Sequence, residues 1–458
     1  MPQQPKAAAD GSPNPSYAWY VVLVLMVCNT LSFVDRQILS LLVAPIKHDL
    51  AISDTKIGLL QGLAFALFYT IMGLPIGRVA DRWSRRNLIS GGVLFWSLMT
   101  ALCSLARNFP ALFLARIGVG VGEATLAPSA FSLLADYFPA RRLATAVSLY
   151  SMGIMLGSGL ALIAGGMVID ATSRMPVVEL PLLGSMASWR LTFLVVSAPG
   201  LLIALLVRTI REPQRRALLR TAQGGAARLS IQDVVVQLKL RWQSVAGISL
   251  GMMFQAMCLY GFNAWAPSLF QRVYGWPAGK TGLALGLIFL SFGCLGMWAG
   301  GALCDYWKAK GIREAPLKVA VCSSIGNLLF FLPALLLAPD PAWTLTLLAP
   351  AVFSVALPIG SSFSAIQLIF PNQVRGQVSA LLLFVLNLGG LSLGPLLPGM
   401  FNDYLFGSGK MVGSSLALAI AIASAGSGIT FRLTYRWYRK HLAEMEILQG
   451  PGKSLGAS

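Results

Sequence analysis

The sequence predicts an all-α polytopic membrane protein with twelve transmembrane helices in two pseudo-symmetric bundles of six. Three observations predict it. First, the 458 residues are 56% hydrophobic and only 11% charged, with a mean hydropathy of +0.70. A soluble domain carries roughly 25% charged residues, so this chain lacks the means to wet its surface. Second, the apolar residues gather into about twelve runs, each near the ~20 residues a span needs. Third, the second half repeats features of the first. The composition excludes a soluble enzyme, a disordered scaffold and a secreted disulfide module.

Taken in order, the polar start reads as a terminal tail (1–16) without the layout of a signal peptide. Apolar runs follow at 17–46, 55–79, 87–107, 109–134, 142–168 and 190–210, which make a first bundle over 17–211. A basic linker covers 212–243, and Leu229 to Leu240 within it reads as an amphipathic surface helix. The second bundle, 244–435, holds runs at 244–270, 279–304, 316–338, 342–369, 375–400 and 411–434, and 436–458 is a second tail. The runs at 109–134 and 342–369 are interrupted by glycine and proline, which membrane helices tolerate. The six cysteines sit in or beside apolar runs with no CxxC pair, as small buried apolar residues do.

The net charge of +18 is a statement about topology. With both termini cytoplasmic, 25 of the 35 basic residues fall on the cytoplasmic side and eight on the other. That asymmetry predicts the orientation and leaves no call for nucleic acid. Location in the plasma (inner) membrane follows as the expectation.

The repeat is explicit. A shift of 224 superposes Gly77 on Gly301, Asp81 on Asp305, Trp83 on Trp307 and Arg86 on Lys310. A shift of 233 aligns Arg142 with Arg375, Gly157 with Gly390, Gly166 with Gly399 and Asp170 with Asp403. Two parallel six-span repeats are the plan of transporters that work by alternating access, with the substrate cavity between the halves. Nothing in the sequence supports an enzyme: there is no nucleophile–base pair, metal cluster or phosphate loop.

Four charges lie well inside apolar runs: Asp35, Arg36, Arg116 and Glu123. Each costs roughly 2.5–3.5 kcal/mol at membrane depth, so they need a purpose. Arg116 and Glu123 are seven apart and share a helix face. Asp35 and Arg36 are about 100° apart, so one is expected to face the cavity and the other to pair across to span four. A purely structural Asp35–Arg116 or Arg36–Glu123 ion pair is the alternative. Both carboxylates are candidates for proton coupling, and both arginines for binding an anion. In the second half, Tyr260 and Asn263 are candidate substrate contacts, with helix packing as their alternative role.

The segment Gly77-Arg-Val-Ala-Asp81-Arg-Trp83-Ser-Arg85-Arg86 resembles the signature of the major facilitator superfamily, G-x-L-A-D-R-x-G-R-R/K, with Val79 and Ser84 departing from it. The resemblance implies a cytoplasmic gate. Asp81 would face the first turn of span eleven, and Arg85 or Arg86 would pair with Asp136 at the end of span four. With Gly77, Arg142 and Asp305, these residues would lock the halves together on that side. The first 170 residues further resemble the Spinster-like branch through Phe33-Val-Asp35-Arg36, Gly58-Leu-Leu-Gln61, Phe95-Trp96-Ser97, Arg116-xxx-Gly120-x-Gly122-Glu123 and Leu156-Gly157-Ser158-Gly159-Leu160. That likeness implies export of amphipathic lipids such as lysophospholipids or sphingosine phosphate. It also gives the four buried charges roles in substrate or proton binding.

The expected function is therefore alternating-access transport of an amphipathic anionic lipid, driven by the proton gradient without a cofactor, by a monomer in the bilayer. Transport of small organic anions or sugar acids is the first rival, and a non-transporting membrane receptor or sensor the second.

Overall fold

The computed structural model describes residues 15–80, 82–173, 177–180, 184–213, 231–370 and 372–449. Among them eleven helices are long and apolar enough to cross a membrane. In the first half, span one is Pro15–Leu41, and span two joins Asp54–Gln61 to Leu63–Ala80. Span three is Arg85–Ser104, span four Phe109–Glu123 with Leu126–Tyr137, span five Ala140–Ser173 and span six Ser188–Arg208. In the second, span seven is Trp242–Arg272 and span nine Ala315–Leu336. Span eight runs Ala278–Ile288 and Cys294–Ala309 through a π-helical turn, Phe289–Gly293. Span eleven runs from Asn372 to Leu405 with π turns at Leu386–Leu391 and Phe401–Leu405. Span twelve is Val412–Gln449.

Span ten is made in two pieces, Pro341–Ala356 and Pro358–Leu368. Pro358 has no N–H to give the carbonyl of Ser354, which accepts instead from Ser323 Oγ of span nine at 2.7 Å and from Leu357 N–H at 3.3 Å. A neighbouring hydroxyl thus helps to satisfy the group that the proline leaves short of its usual partner.

Local chemistry starts the spans. Ser53, Ser84 and Asn108 cap spans two, three and four by accepting from Lys56, Asn87 and Ala111 N–H groups, and Asp340 caps span ten. Three features depart from the sequence reading. Run 17–46 divides into span one and a separate short helix, Val43–Leu50. A two-stranded antiparallel hairpin, Val177–Leu180 with Gly184–Ala187, joins spans five and six. Span twelve also continues through much of the expected tail. Tyr438, His441 and Met445 are buried there, and His441 Nδ1 lies 2.8 Å from Ser244 Oγ of span seven. The linker helix is Ile231–Leu240, with Val235 and Val236 exposed, and span seven begins at Trp242. The tail 1–14 and the linker centre 214–230 lie outside the described residues.

An even number of crossings places both ends on one face, the terminal face; the opposite one is the distal face. The core follows that axis. On the distal side one hydrophobic cluster is shared by both halves, joining Ile38, Leu60 and Leu162 to Met257, Phe262, Trp265 and Leu285. Toward the terminal face the clusters separate. One is built from the first half with Leu391 and Tyr260 from the second, and the other from the second half entirely. Large apolar side chains such as Leu202, Leu205, Trp298 and Leu329 stay exposed on the perimeter, where the bilayer covers them.

Candidate functional site

The four buried charges divide by the rotation of span one. Ser32 and Arg36 are four residues apart and share a face, and both reach Glu123 of span four. Arg36 Nε and a terminal nitrogen bond to Glu123 Oε2 at 2.7 and 2.6 Å, and Ser32 Oγ donates to the same oxygen at 2.5 Å. Glu123 Oε1 accepts nothing. The guanidinium also sits among three rings, 4.8 Å from the centroid of Phe33, 4.3 Å from Phe65 and 4.9 Å from Tyr69. Ring faces attract a cation, so Arg36 keeps its position through the cage as well as the carboxylate. Its side chain is 17% exposed, that of Glu123 not at all. Arg36 therefore both meets Glu123 and opens on the cavity.

Asp35 does neither. It is fully buried, about 100° round span one from Arg36, and neither carboxylate oxygen makes a hydrogen bond. This corrects the expected division of labour between the two neighbours: one residue takes both tasks because a long guanidinium can bridge while its edge stays open. No ion pair joins Asp35 to Arg116. Arg116 instead donates to the Asp35 backbone carbonyl at 3.1 Å. Its guanidinium lies 5.9 Å from the Phe65 ring and the residue is 1% exposed, so it does not line the cavity in this conformation.

Arg36, Tyr260 and Asn263 line one cavity between the halves, together with Gln37, Gln61 and Pro395. Gln37 Nε2 crosses between the halves, donating to the Asn263 carbonyl at 2.9 Å. Gln37 and Gln61 escape a search for charge. The sequence signal that marks Gln37 is the stripe Phe33, Arg36, Gln37, Ser40, at the i, i+3, i+4, i+7 spacing of one helix face.

The distal face is closed by carboxylates capping helices of the other half. Asp170, at the end of span five, accepts from Gly279 N–H of span eight at 3.0 Å. Asp403, at the end of span eleven, accepts from Thr55 N–H and Oγ1 of span two, both at 2.6 Å, and from Asp54 N–H at 3.2 Å. Asp54 itself is fully buried. It takes a bidentate pair from Arg272 of span seven at 2.7 and 2.8 Å, Lys47 at 2.8 Å and Asn402 at 3.2 Å. Glycines let the spans cross closely beneath these caps. A Cβ on Gly58 would come within 2.7 Å of the Pro395 carbonyl, and one on Gly286 within 2.7 Å of the Gly159 carbonyl.

The terminal face differs. Arg85 is buried and bonds Asp136, and its Nε donates to Glu212 at 2.8 Å. Ser84 Oγ and Arg86 N–H each donate to Glu212 at 2.9 Å. Burial works to raise the pKa of Glu212, but these hydrogen bonds and the Arg85 charge outweigh it and hold the carboxyl below the ordinary glutamate range. All of these groups belong to the first half or, for Glu212, to the first residue of the linker that follows it. Arg142 is exposed, and Asp305 is 81% exposed with Lys308, on its own helix, at 3.8 Å. A Cβ on Gly77 or Gly301 would meet nothing within 4 Å, and Asp81 lies outside the described residues. The expectation of a lock between the halves at this face is corrected for this conformation: among the described residues, the gate groups stay within their own half because the distal contacts are closed.

Known proteins can be set beside this geometry. A family model described as Major Facilitator Superfamily matches residues 25–395. The chain is 30% identical over 455 residues to an MFS-type efflux pump of Mycolicibacterium smegmatis, covering 96% of this chain and 99% of the pump. It is 30% identical to protein spinster homolog 1 of Mus musculus over 332 residues, 69% of this chain and 60% of the mouse protein. The crystal structure of a bacterial homolog of the human lysosomal transporter Spinster, inward-facing and unoccupied, superposes with a TM-score of 0.76. Its sequence identity is 24%, over 95% of this chain and 99% of that one.

Proposed function

This chain belongs to the Major Facilitator Superfamily, Spinster-like in sequence and a transporter rather than an enzyme, and from that premise we propose that it moves an amphipathic anionic lipid-like substrate, linked to protons. The carrying observation is Arg36, caged by three rings, paired on one edge with Glu123 and open on the other to the cavity.

Arg36 binds the anionic group of the substrate. While Glu123 is ionised it holds the guanidinium, and a substrate anion competes with it. A proton on Glu123 removes that competitor, so proton and anion bind together and leave together. Asp35, the other carboxylate at membrane depth and fully buried, is a second proton carrier. Arg116 steadies span one through the Asp35 carbonyl. The uncharged wall of the second half, with Tyr260, suits the apolar part of a lipid. A small organic anion, a sugar acid among them, is the second reading. It is favoured by the amides of Gln61 and Asn263 in the same cavity.

The terminal face is cytoplasmic, as its basic residues support, and the protein works as a monomer in the inner membrane. Alternation is a reciprocal exchange of caps. At the distal face Asp403 of span eleven caps span two, and Asp170 of span five caps span eight. At the cytoplasmic face the repeat would supply the reverse pairs, Asp81 after span two with the start of span eleven, and Asp305 in the last turns of span eight with the start of span five. Gly77, Arg85, Arg86, Asp136 and Arg142 shape that closure. Each face closes only as the other opens, because the same spans provide both carboxylate and helix terminus.

Counterflow of lysolipids and small organic anions in proteoliposomes tests the reading. Uptake of one class is expected in the wild type and is lost in Arg36→Ala. Undiminished uptake by that variant would overturn it.

A further inference from the structure

Trp96, in span three, carries a polar atom that the substrate cavity does not explain. Its side chain is among the largest that are fully enclosed, and its Nε1 has no hydrogen-bond partner. A buried indole N–H normally finds an acceptor, because leaving it unpaired costs its desolvation. The indole stands against the carboxyl of Asp35, short of hydrogen-bond geometry in this conformation. A group that can only donate thus meets a group that, when ionised, can only accept.

The meeting is built from several spans. A Cβ at Gly122 of span four would stand 2.7 Å from the Cβ of Trp96, and one at Gly200 of span six 1.8 Å from Ser97 Oγ. Glycines on both sides therefore fix how span three is turned. Gly122 precedes Glu123, so the indole is seated beside the residue that pairs with Arg36. Trp96, Thr100 and Cys103 follow at i, i+4 and i+7 along one face of span three. Cys103 also lies within reach of the Asp35 charge, which puts Thr100, fully buried with its hydroxyl unpaired, between them. Arg116 completes the surround: one terminal nitrogen donates to the Asp35 backbone carbonyl at 3.1 Å, and its Nε is unpaired.

The charged and titratable groups that face Asp35 are Glu123 and Arg116 of span four, Cys103 of span three and Arg36, its neighbour on span one. An ionised Glu123 opposes a second negative charge, and the two arginines favour it. The indole acts in one direction only. Its bond strengthens when Asp35 loses its proton, since hydrogen bonds to ionised groups are the stronger kind. It offers no acceptor to the O–H of the protonated acid.

We infer that Trp96 is a positioning residue for proton coupling: its indole N–H donates to the ionised Asp35 carboxylate and so sets the pH at which Asp35 takes up a proton. The inference rests on the reading of Asp35 as a proton carrier. It gives a part in coupling to span three, which contributes no residue to the cavity around Arg36.

Infrared titration of the purified full-length chain in nanodiscs tests it. The Asp35 signal is the protonated-carboxyl band that disappears in Asp35→Asn. Two variants remove the N–H: Trp96→Phe, and replacement of Trp96 by benzothienylalanine, which keeps the bicyclic shape with sulfur in place of N–H. Both are expected to move the Asp35 midpoint up by about one pH unit or more. That is the tenfold rise in proton affinity that follows the loss of one hydrogen bond to a charged group. The sulfur isostere should melt like wild type, which shows that the packing is intact. A midpoint that stays in place or falls with the isostere overturns the role of Trp96. A shift confined to Trp96→Phe does so too, because it would be an effect of packing. If no titrating band is lost in Asp35→Asn, the reading of Asp35 as a proton carrier falls and takes this inference with it. If Asp35 titrates but neither variant moves it, the inference falls alone.

Discussion

Asp170 and Asp403 perform the same task in opposite halves: each ends its own span by accepting from the first turn of a span across the interface, at Gly279 and at Thr55. Their equivalence under the 233-residue shift makes the distal closure two-fold symmetric. A carboxylate at a helix N-terminus is worth about 0.5–2 kcal/mol, so two of them bias a balance between two open states without locking it.

Removing both caps should therefore open the distal face. In Asp170→Asn with Asp403→Asn, a cysteine placed at Ser40 in a cysteine-free background should react several-fold faster with an impermeant maleimide applied from the distal side. Each single variant should give a smaller increase. Labelling that stays at the wild-type rate would remove the caps from the gate.

Glycine positions should act in opposite directions on the same assay. Gly58→Leu drives a side chain into the Pro395 carbonyl, so it should hold the distal face open and reduce transport more than tenfold while the protein remains folded. Gly301→Ala meets nothing in this conformation and should leave distal labelling unchanged or lower it. A Gly58→Leu variant with wild-type transport would show that the spans part without passing through this contact.

The Arg36–Glu123 pair should separate binding from coupling. Glu123→Gln is expected to retain anion binding and to lose the pH dependence of transport in proteoliposomes. Arg36→Ala leaves Glu123 buried and unpaired, a loss of up to about 3–5 kcal/mol, so its melting temperature should fall well below that of Glu123→Gln. Unchanged pH dependence in Glu123→Gln would place coupling elsewhere, with Asp35→Asn as the next variant to measure.

Acid should loosen the start of span three. Because the Glu212 carboxyl titrates below its ordinary value of 4.5, its contribution to stability is complete above that pH. It is lost as the pH falls through the lower folded-state value. Glu212→Gln should cost about 1–2 kcal/mol at neutral pH, and the difference in melting temperature from wild type should shrink below about pH 4.5. A difference independent of pH would mean that Glu212 acts by packing alone.

Much of the site was legible as chemistry and little of it as geometry. Charge at membrane depth is rare, so Asp35, Arg36, Arg116 and Glu123 stand out in any reading. Gln61 does not, because an uncharged amide in a span is ordinary until its partners are known to be missing. Arg116 looks equal to Arg36 in sequence, yet Arg116 is 1% exposed while Arg36 lines the cavity.

The sequence by itself determined how often the chain crosses the membrane, the two-fold repeat and the depth of the buried charges. These follow from the transfer cost of each side chain and from spacing along one helix, which are local properties. The tertiary structure alone decided that Arg36 takes both the carboxylate and the cavity, that Asp35 turns away, and that the distal face is the closed one. Those outcomes depend on the rotation of span one and on the fit of glycines against carbonyls from the other half, neither of which is local in sequence.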